Sequence, residues 1–164
     1  MSPLRPERVW SWPVLLAVLG CAGTPVVAEN RHRTEADVLE ATLRYEIVQF
    51  LENEDRDAMV CVGLDRDLGE LADPDRDFLR RFADRPDVRR KSECAAGPKG
   101  VVEIRSGKAA VVLGAGPVEW LGEDEAHVKG YFFRSEFGTA RPVYRVVREN
   151  DRWVVLGPFL PSIE

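Results

Sequence analysis

The stretch that decides the fold is residues 101–157, VVEIRSGKAAVVLGAGPVEWLGEDEAHVKGYFFRSEFGTARPVYRVVRENDRWVVLG. Apolar and polar residues alternate along it with a period of two, which is typical of half-buried β-strands. The pattern predicts strands at 101–105, 109–113, 118–121, 126–135, 141–149 and 153–157. The connectors between them are short and rich in Gly, Asn and Asp, so they join antiparallel neighbours. We therefore expect a curved antiparallel sheet of about five to six strands.

The chain ahead of this stretch carries helical signals. Apolar residues recur at helical spacing over 34–53, namely Leu39, Leu43, Ile47, Phe50 and Leu51. They predict a helix that packs one apolar stripe on the sheet. Asp73 and Pro74 predict the N-cap and first position of a second helix, which cannot continue past Pro86. Helices followed by strands make an α+β domain.

This order of elements resembles the NTF2-like (cystatin-like) superfamily over residues 34–157, including final strands that end in RWVVL at 152–156. The resemblance implies a bent antiparallel sheet that wraps an N-terminal helix and leaves a conical pocket. Members range from isomerases and dehydratases to plain binding domains, so the resemblance implies no single activity. The strand-like segment around Cys61 and the late second helix depart from the commonest pattern of that superfamily.

The N-terminus has the layout of an export signal. Arg5 and Arg8 precede an apolar run at 9–21, VWSWPVLLAVLGC, which is shorter than the roughly 20 apolar residues of a membrane-spanning helix. Its end, VLGC at 18–21, resembles the lipobox of bacterial lipoproteins, in which a peptidase cuts before a cysteine that receives lipid. The resemblance implies a signal peptide over 1–20, lipid (palmitate) attachment at Cys21, a tether over 21–33 and one α+β domain over 34–164.

Two other features bear on the compartment. Cleavage after Ala28, which follows the small uncharged Val26 and Val27, is the alternative and would release a soluble secreted or periplasmic protein. If Cys21 carries lipid, Cys61 and Cys94 remain as an even pair, and an oxidising compartment favours a disulfide between them. Two buried free thiols are the alternative. The chain has no C-x-x-C, so it supports neither a redox motif nor a zinc knuckle.

Composition and spacing exclude several classes of function. The 164 residues carry a net charge of -5, with 45% hydrophobic and 31% charged residues, which is ordinary for one globular domain and argues against a nucleic-acid partner. The acidic residues at 65–77 miss the register of a calcium loop, so we predict no metal. Gly114 and Gly116 are followed by a strand and not by a helix, so a nucleotide loop is excluded and no cofactor is predicted.

Two sets of residues are candidates for a site. His127, Tyr131 and Lys129 share one face of the strand predicted at 126–135, and Glu119 lies on the preceding strand. His127, Glu119 and Tyr131 could act in acid–base chemistry, although a solvent-facing histidine is the simpler interpretation. The aromatic residues on the sheet pack in a core by default, or line a pocket for a small apolar ligand. The pocket candidates are Trp120, Tyr131, Phe133 and Tyr144.

The chain carries no complete catalytic constellation. The function it indicates is therefore a non-enzymatic cell-envelope lipoprotein, anchored in the membrane by its N-terminal lipid, whose domain binds a small apolar ligand or an envelope protein. The alternative is a small enzyme of the NTF2-like kind, of isomerase or dehydratase type, which uses His127 or a pocket carboxylate such as Glu119 to move a proton.

Overall fold

The computed structural model describes the backbone of residues 25–53, 57–65, 69–135 and 138–159, and side chains from Thr34 to residue 158 within those ranges. The predicted signal peptide, 1–20, and Cys21 lie outside the described residues. Within them, neither helix combines the length and the apolar content that crossing a membrane would require.

The first helix, α1, spans Pro25–Asn53. It ends at Asn53 as predicted, but it begins ahead of Thr34, inside the segment that was predicted as a tether. The earlier start has a local reason: Pro25 suits a first helical position, and no other proline or glycine follows before Asn53. The predicted apolar stripe is confirmed, because Leu39, Leu43, Ile47 and Phe50 are all buried. Full burial of each such side chain stabilises the fold by roughly 1.5–3 kcal/mol.

The rest of the chain is mainly strand. The strands are β1 Met59–Asp65, β2 Leu71–Ala72, β3 Val88–Arg90, β4 Cys94–Gly97, β5 Gly100–Glu103, β6 Ala110–Trp120, β7 Glu125–Ser135, β8 Gly138–Ala140, β9 Val143–Glu149 and β10 Arg152–Phe159. A short helix, α2, covers Arg76–Arg80, and one turn of 3-10 helix covers Lys91–Glu93. These elements confirm the α+β class, with one main helix packed on a sheet.

The main sheet has eight strands in the order β10-β9-β7-β6-β1-β2, with β3 paired to β1 and β8 paired to β7. The predicted count of about five to six strands and the purely antiparallel pairing are wrong, because β1 runs parallel to both β6 and β3. Met59–Asp65 is buried at every position. A continuous apolar run of this kind is typical of a central parallel strand.

Strand β6 replaces two predicted strands. The residues predicted as a connector, 114–117, stay within the extended strand, and the pairing with β7 shifts register between Ala115 and Val118. A bulge of this kind absorbs the extra residue without ending the strand.

The second helix starts later than predicted. Its N-cap is Asp75 and not Asp73: the Asp75 Oδ1 accepts a hydrogen bond from the Phe78 amide at 2.8 Å. Asp73 has another role, because its carboxylate accepts from the amide and the hydroxyl of Ser92 at 2.8 and 2.6 Å. The carboxylate of Asp73 thus ties the start of this segment to the 3-10 turn.

The predicted disulfide between Cys61 and Cys94 is confirmed. It joins β1, in the main sheet, to the two-stranded hairpin β4–β5. Cross-linking residues 33 positions apart is worth about 3–4 kcal/mol in the chain-entropy account. Val101 of the hairpin is buried against Met59 and Ala110. Since Val60, Val62 and Leu64 of β1 pack instead in the α1 core, the hairpin covers the opposite face of the sheet.

The α1 core contains one buried carboxyl group. Glu46 is 5% exposed, and neither of its oxygens has a hydrogen-bond partner among the described residues. Burial therefore raises the pKa of Glu46 well above its ordinary value of 4.5, and the nearby Tyr144 phenol, which does not reach hydrogen-bond geometry, opposes this only in part. Gly130 leaves room for the carboxyl group, because a Cβ at residue 130 would lie 2.3 Å from Glu46 Oε1.

We expect Glu46 to make the domain less stable as the pH rises. The folded protein keeps the Glu46 proton above pH 4.5, where the unfolded chain has released it, so the free energy of unfolding falls with pH through this window by up to ~1.4 kcal/mol per pH unit. Urea unfolding between about pH 5 and 8 should show this slope, and Glu46→Gln should remove it. The control is Glu52→Gln, at an exposed position of the same helix. A slope that survives in Glu46→Gln would refute the assignment.

Candidate ligand-binding site

The face of the sheet that turns away from α1 is only partly covered. Alternation along β7 sends Val128 and Phe132 to the α1 core and sends Tyr131 and Phe133 to the opposite face. Phe133 packs there against the cluster of Met59, Val101 and Ala110. Two adjoining cavities lie on this face, and the first of them is beside the hairpin.

A pair of glycines shapes the floor of this face. Gly63 of β1 lies directly opposite Gly114 of β6. The side chain of Leu71 occupies the space above both: a Cβ at Gly114 would lie 2.5 Å from Leu71 Cδ2, and one at Gly63 would lie 2.9 Å from Leu71 Cβ. Glycine at both positions is therefore what lets Leu71 lie close to the sheet.

A hydrogen bond crosses the sheet at the same place. The Tyr131 hydroxyl of β7 donates to Asp65 Oδ2 of β1 at 2.5 Å, although β6 lies between the two strands. Gly114, which pairs with Tyr131, presents no side chain in the way. The other carboxylate oxygen, Asp65 Oδ1, accepts from the Gly69 amide at 3.2 Å. Both oxygens of this buried carboxylate are thus satisfied.

The first cavity has a volume of about 340 Å³ and is mainly apolar. The hairpin supplies one wall through Ala95, Ala96 and Val101, and Val112 and Phe133 of the main sheet line the other side. Cys94 also lines this cavity, so the disulfide fixes the wall directly to β1. A cavity of this volume is at the lower end of the range for small-molecule sites, about 300–1,000 Å³.

The second cavity has a volume of about 370 Å³ and a mixed lining that is more polar than that of the first, and it is called the polar cavity below. Asp65, Lys129 and Arg141 bring charge to it. The two cavities share Tyr131 and Arg141, whose guanidinium carbon lies 5.5 Å from the centre of the Tyr131 ring. Burial and then the Asp65 carboxylate raise the pKa of the Tyr131 phenol, while Arg141 lowers it. At neutral pH the phenol therefore keeps its proton and donates a hydrogen bond to Asp65.

The structure brings together some of the predicted site residues and separates others. Tyr131 and Phe133 lie on the cavity face. Tyr144 is buried in the α1 core against Tyr45, and Trp120 packs against the same core, with its ring 5.7 Å from that of Trp153. Tyr144 and Trp120 therefore belong to the packing between helix and sheet and not to the cavity face.

The acid–base candidates lie together but away from the cavities. His127 of β7 pairs with Glu119 of the neighbouring strand β6. On its other side it faces Arg145, which is bonded to Glu125 at 2.6 Å. His127 lines neither of the two cavities described above, and Glu119 is exposed. Their role in catalysis stays a prediction.

Sequence reasoning missed Asp65 and Arg141 as members of this site. Asp65 was grouped with the acidic residues that follow it, yet it closes a strand that is otherwise wholly apolar. A lone carboxylate at the end of a buried strand was the signal that could have found it. Arg141 gave no comparable signal, because its position beside Tyr131 depends on the path from β8 to β9.

Comparisons with known proteins give no family for this chain. No family model matches it, and neither the curated proteins nor the solved structures include a match. Among the described residues, no group of three or more His, Cys, Asp or Glu side chains is placed to hold a metal ion. The interpretation of the site therefore rests on its geometry.

We expect Tyr131→Phe to destabilise the domain by about 1–3 kcal/mol, because it removes the hydrogen bond that the phenol donates to the buried Asp65 carboxylate. The matched control is Tyr45→Phe, since the Tyr45 hydroxyl makes no hydrogen bond with the described residues. That variant should stay within about 0.5 kcal/mol of the parent. Both values come from chemical unfolding, and equal losses in the two variants would contradict the role of the bond to Asp65.

Proposed function

We propose that this protein is a non-enzymatic cell-envelope lipoprotein whose domain binds a small ligand on the sheet face opposite α1. The observation that carries the proposal is the pair of cavities, one apolar and one polar, that meet at Tyr131 and Arg141. Sites for small molecules combine an apolar lining with a few placed polar groups, as this face does. In the alternative form of this proposal, the same face of the sheet binds an envelope protein instead of a small ligand.

The compartment is proposed from two features of the chain. The export signal and the VLGC motif at 18–21 support a lipid at Cys21, with the domain facing the periplasm or the exterior. The Cys61–Cys94 disulfide supports an oxidising compartment. Cleavage after Ala28 remains the alternative and would give a soluble protein in the same compartment. Kinship with the NTF2-like superfamily is retained as a hypothesis, supported by the order of a long helix followed by a sheet.

A second candidate function, a small enzyme that moves a proton, is favoured by the hydrogen bond between Tyr131 and Asp65 beside a cavity. It ranks lower for two physical reasons. The carboxylate already accepts two hydrogen bonds, and the raised pKa of Tyr131 keeps the phenol protonated. His127 and Glu119, which the sequence predicted as acid–base residues, line neither cavity, so they do not support this candidate.

The intact mass of the protein tests the anchor. We expect full-length chain expressed in a bacterial host to be recovered from membranes with a mass that starts at Cys21 plus acyl chains, and to gain two hydrogens on reduction. The Cys21→Ala variant should lose both the acyl mass and the membrane association. A soluble parent protein that starts at Glu29 would overturn the lipoprotein proposal and favour cleavage after Ala28.

Binding of N-phenyl-1-naphthylamine, a neutral apolar fluorescent probe, tests the ligand site. We expect saturable binding, which Ala140→Trp should weaken by about tenfold because the indole fills the apolar cavity that Ala140 lines. The matched control is Ala83→Trp, at an exposed position that lines neither cavity. If the probe does not bind, or if both variants bind it as tightly as the parent protein, the result would count against a ligand site on this face.

A further inference from the structure

The polar cavity carries two cations that have no carboxylate partner. Among the described residues, neither Lys129 nor Arg141 forms an ion pair, and both are exposed. Other arginines of the same domain are paired with acidic side chains at 2.6–3.1 Å: Arg44, Arg81, Arg85, Arg145 and Arg148. Lys129 and Arg141 differ from these five arginines in two respects: both line the cavity, and no carboxylate among the described residues neutralises them.

The one carboxylate of this cavity does not satisfy these cations directly. Asp65 is 4% exposed, and its oxygens are occupied by the Tyr131 hydroxyl and the Gly69 amide. Among the described residues that line the cavity, the charges of Lys129, Arg141 and Asp65 sum to one positive charge. A surplus of one positive charge suits a ligand group that carries a single negative charge.

Arg141 lines the apolar cavity as well as the polar one. A ligand can therefore place a charged group at Arg141 and an apolar chain between the hairpin and the sheet, against Val101, Val112 and Phe133. Each methylene group buried there would contribute about 0.8 kcal/mol. A guanidinium binds a carboxylate through two parallel hydrogen bonds, which fixes the orientation of the head group.

From this arrangement we infer that the ligand is a small amphipathic carboxylate, such as a medium-chain fatty acid, with its head group at Arg141 and Lys129 and its tail in the apolar cavity. The inference deepens the ligand-binding function proposed above and rests on it. The disulfide contributes by holding the hairpin wall, since Cys94 lines the cavity that receives the tail.

Displacement of N-phenyl-1-naphthylamine by decanoate, decanol and decylamine tests the inference. We expect decanoate to compete best, with decanol at least roughly tenfold weaker because it forms no charge-assisted hydrogen bond. Arg141→Gln and Lys129→Gln should each weaken decanoate about tenfold and leave decanol unchanged. Arg152→Gln, which removes the same charge from an exposed site that lines neither cavity, should change neither competitor. Added salt should weaken decanoate alone.

The outcomes separate the two levels of the proposal. If decanol or decylamine competes as well as decanoate, or if Arg141→Gln and Lys129→Gln behave like Arg152→Gln, the carboxylate specificity is overturned while the ligand-binding function stands. If the probe itself does not bind and none of the three decyl compounds changes the thermal unfolding temperature, the ligand-binding function fails and the inference fails with it. Circular dichroism of the three variants checks that each has kept its fold.

Discussion

The disulfide between Cys61 and Cys94 is the constraint on which the two-sided arrangement of this domain depends. β1 is buried at every position, so it needs apolar cover on both faces. α1 supplies one cover through Leu43 and Ile47, and the small β4–β5 hairpin supplies the other. An isolated two-stranded hairpin is marginal in water. The covalent bond to the most buried strand of the sheet holds the hairpin in place, and thereby also builds the wall of the apolar cavity.

The two faces of the sheet accommodate a buried carboxyl group in different ways. On the α1 side, Glu46 is buried without a hydrogen-bond partner among the described residues, and its raised pKa favours the protonated, uncharged carboxyl group. On the other side, Asp65 is buried with both oxygens bonded. Glycine makes both arrangements possible: Gly130 leaves room for Glu46, and Gly114 opens the path between Tyr131 and Asp65. The first face carries the main hydrophobic core, and the second borders the two cavities described above.

Much of this structure could be predicted from local patterns, and the remainder could not, for a physical reason. The apolar stripe of α1 and the alternation along β7 are short-range signals that burial enforces directly. The disulfide followed from counting the cysteines of a chain whose N-terminus was predicted to be an export signal. By contrast, the parallel pairing of β1 with β6 and the bond between Asp65 and Tyr131 join residues far apart in the chain. Periodicity states which face a residue occupies, but it does not state which strand comes next to it.

The side chains that pack under α1 also bear on where a ligand could bind. A pocket between helix and sheet, as the NTF2-like resemblance implied, would need the volume that Phe50, Tyr144 and Glu46 occupy. On the opposite face the apolar cavity borders cations that no carboxylate among the described residues neutralises. Arg141 lies over the Tyr131 ring, with its guanidinium carbon 5.5 Å from the ring centre, and Lys129 lines the same cavity. This face thus places two cations beside an apolar cavity, and the proposed binding of a ligand rests on that combination.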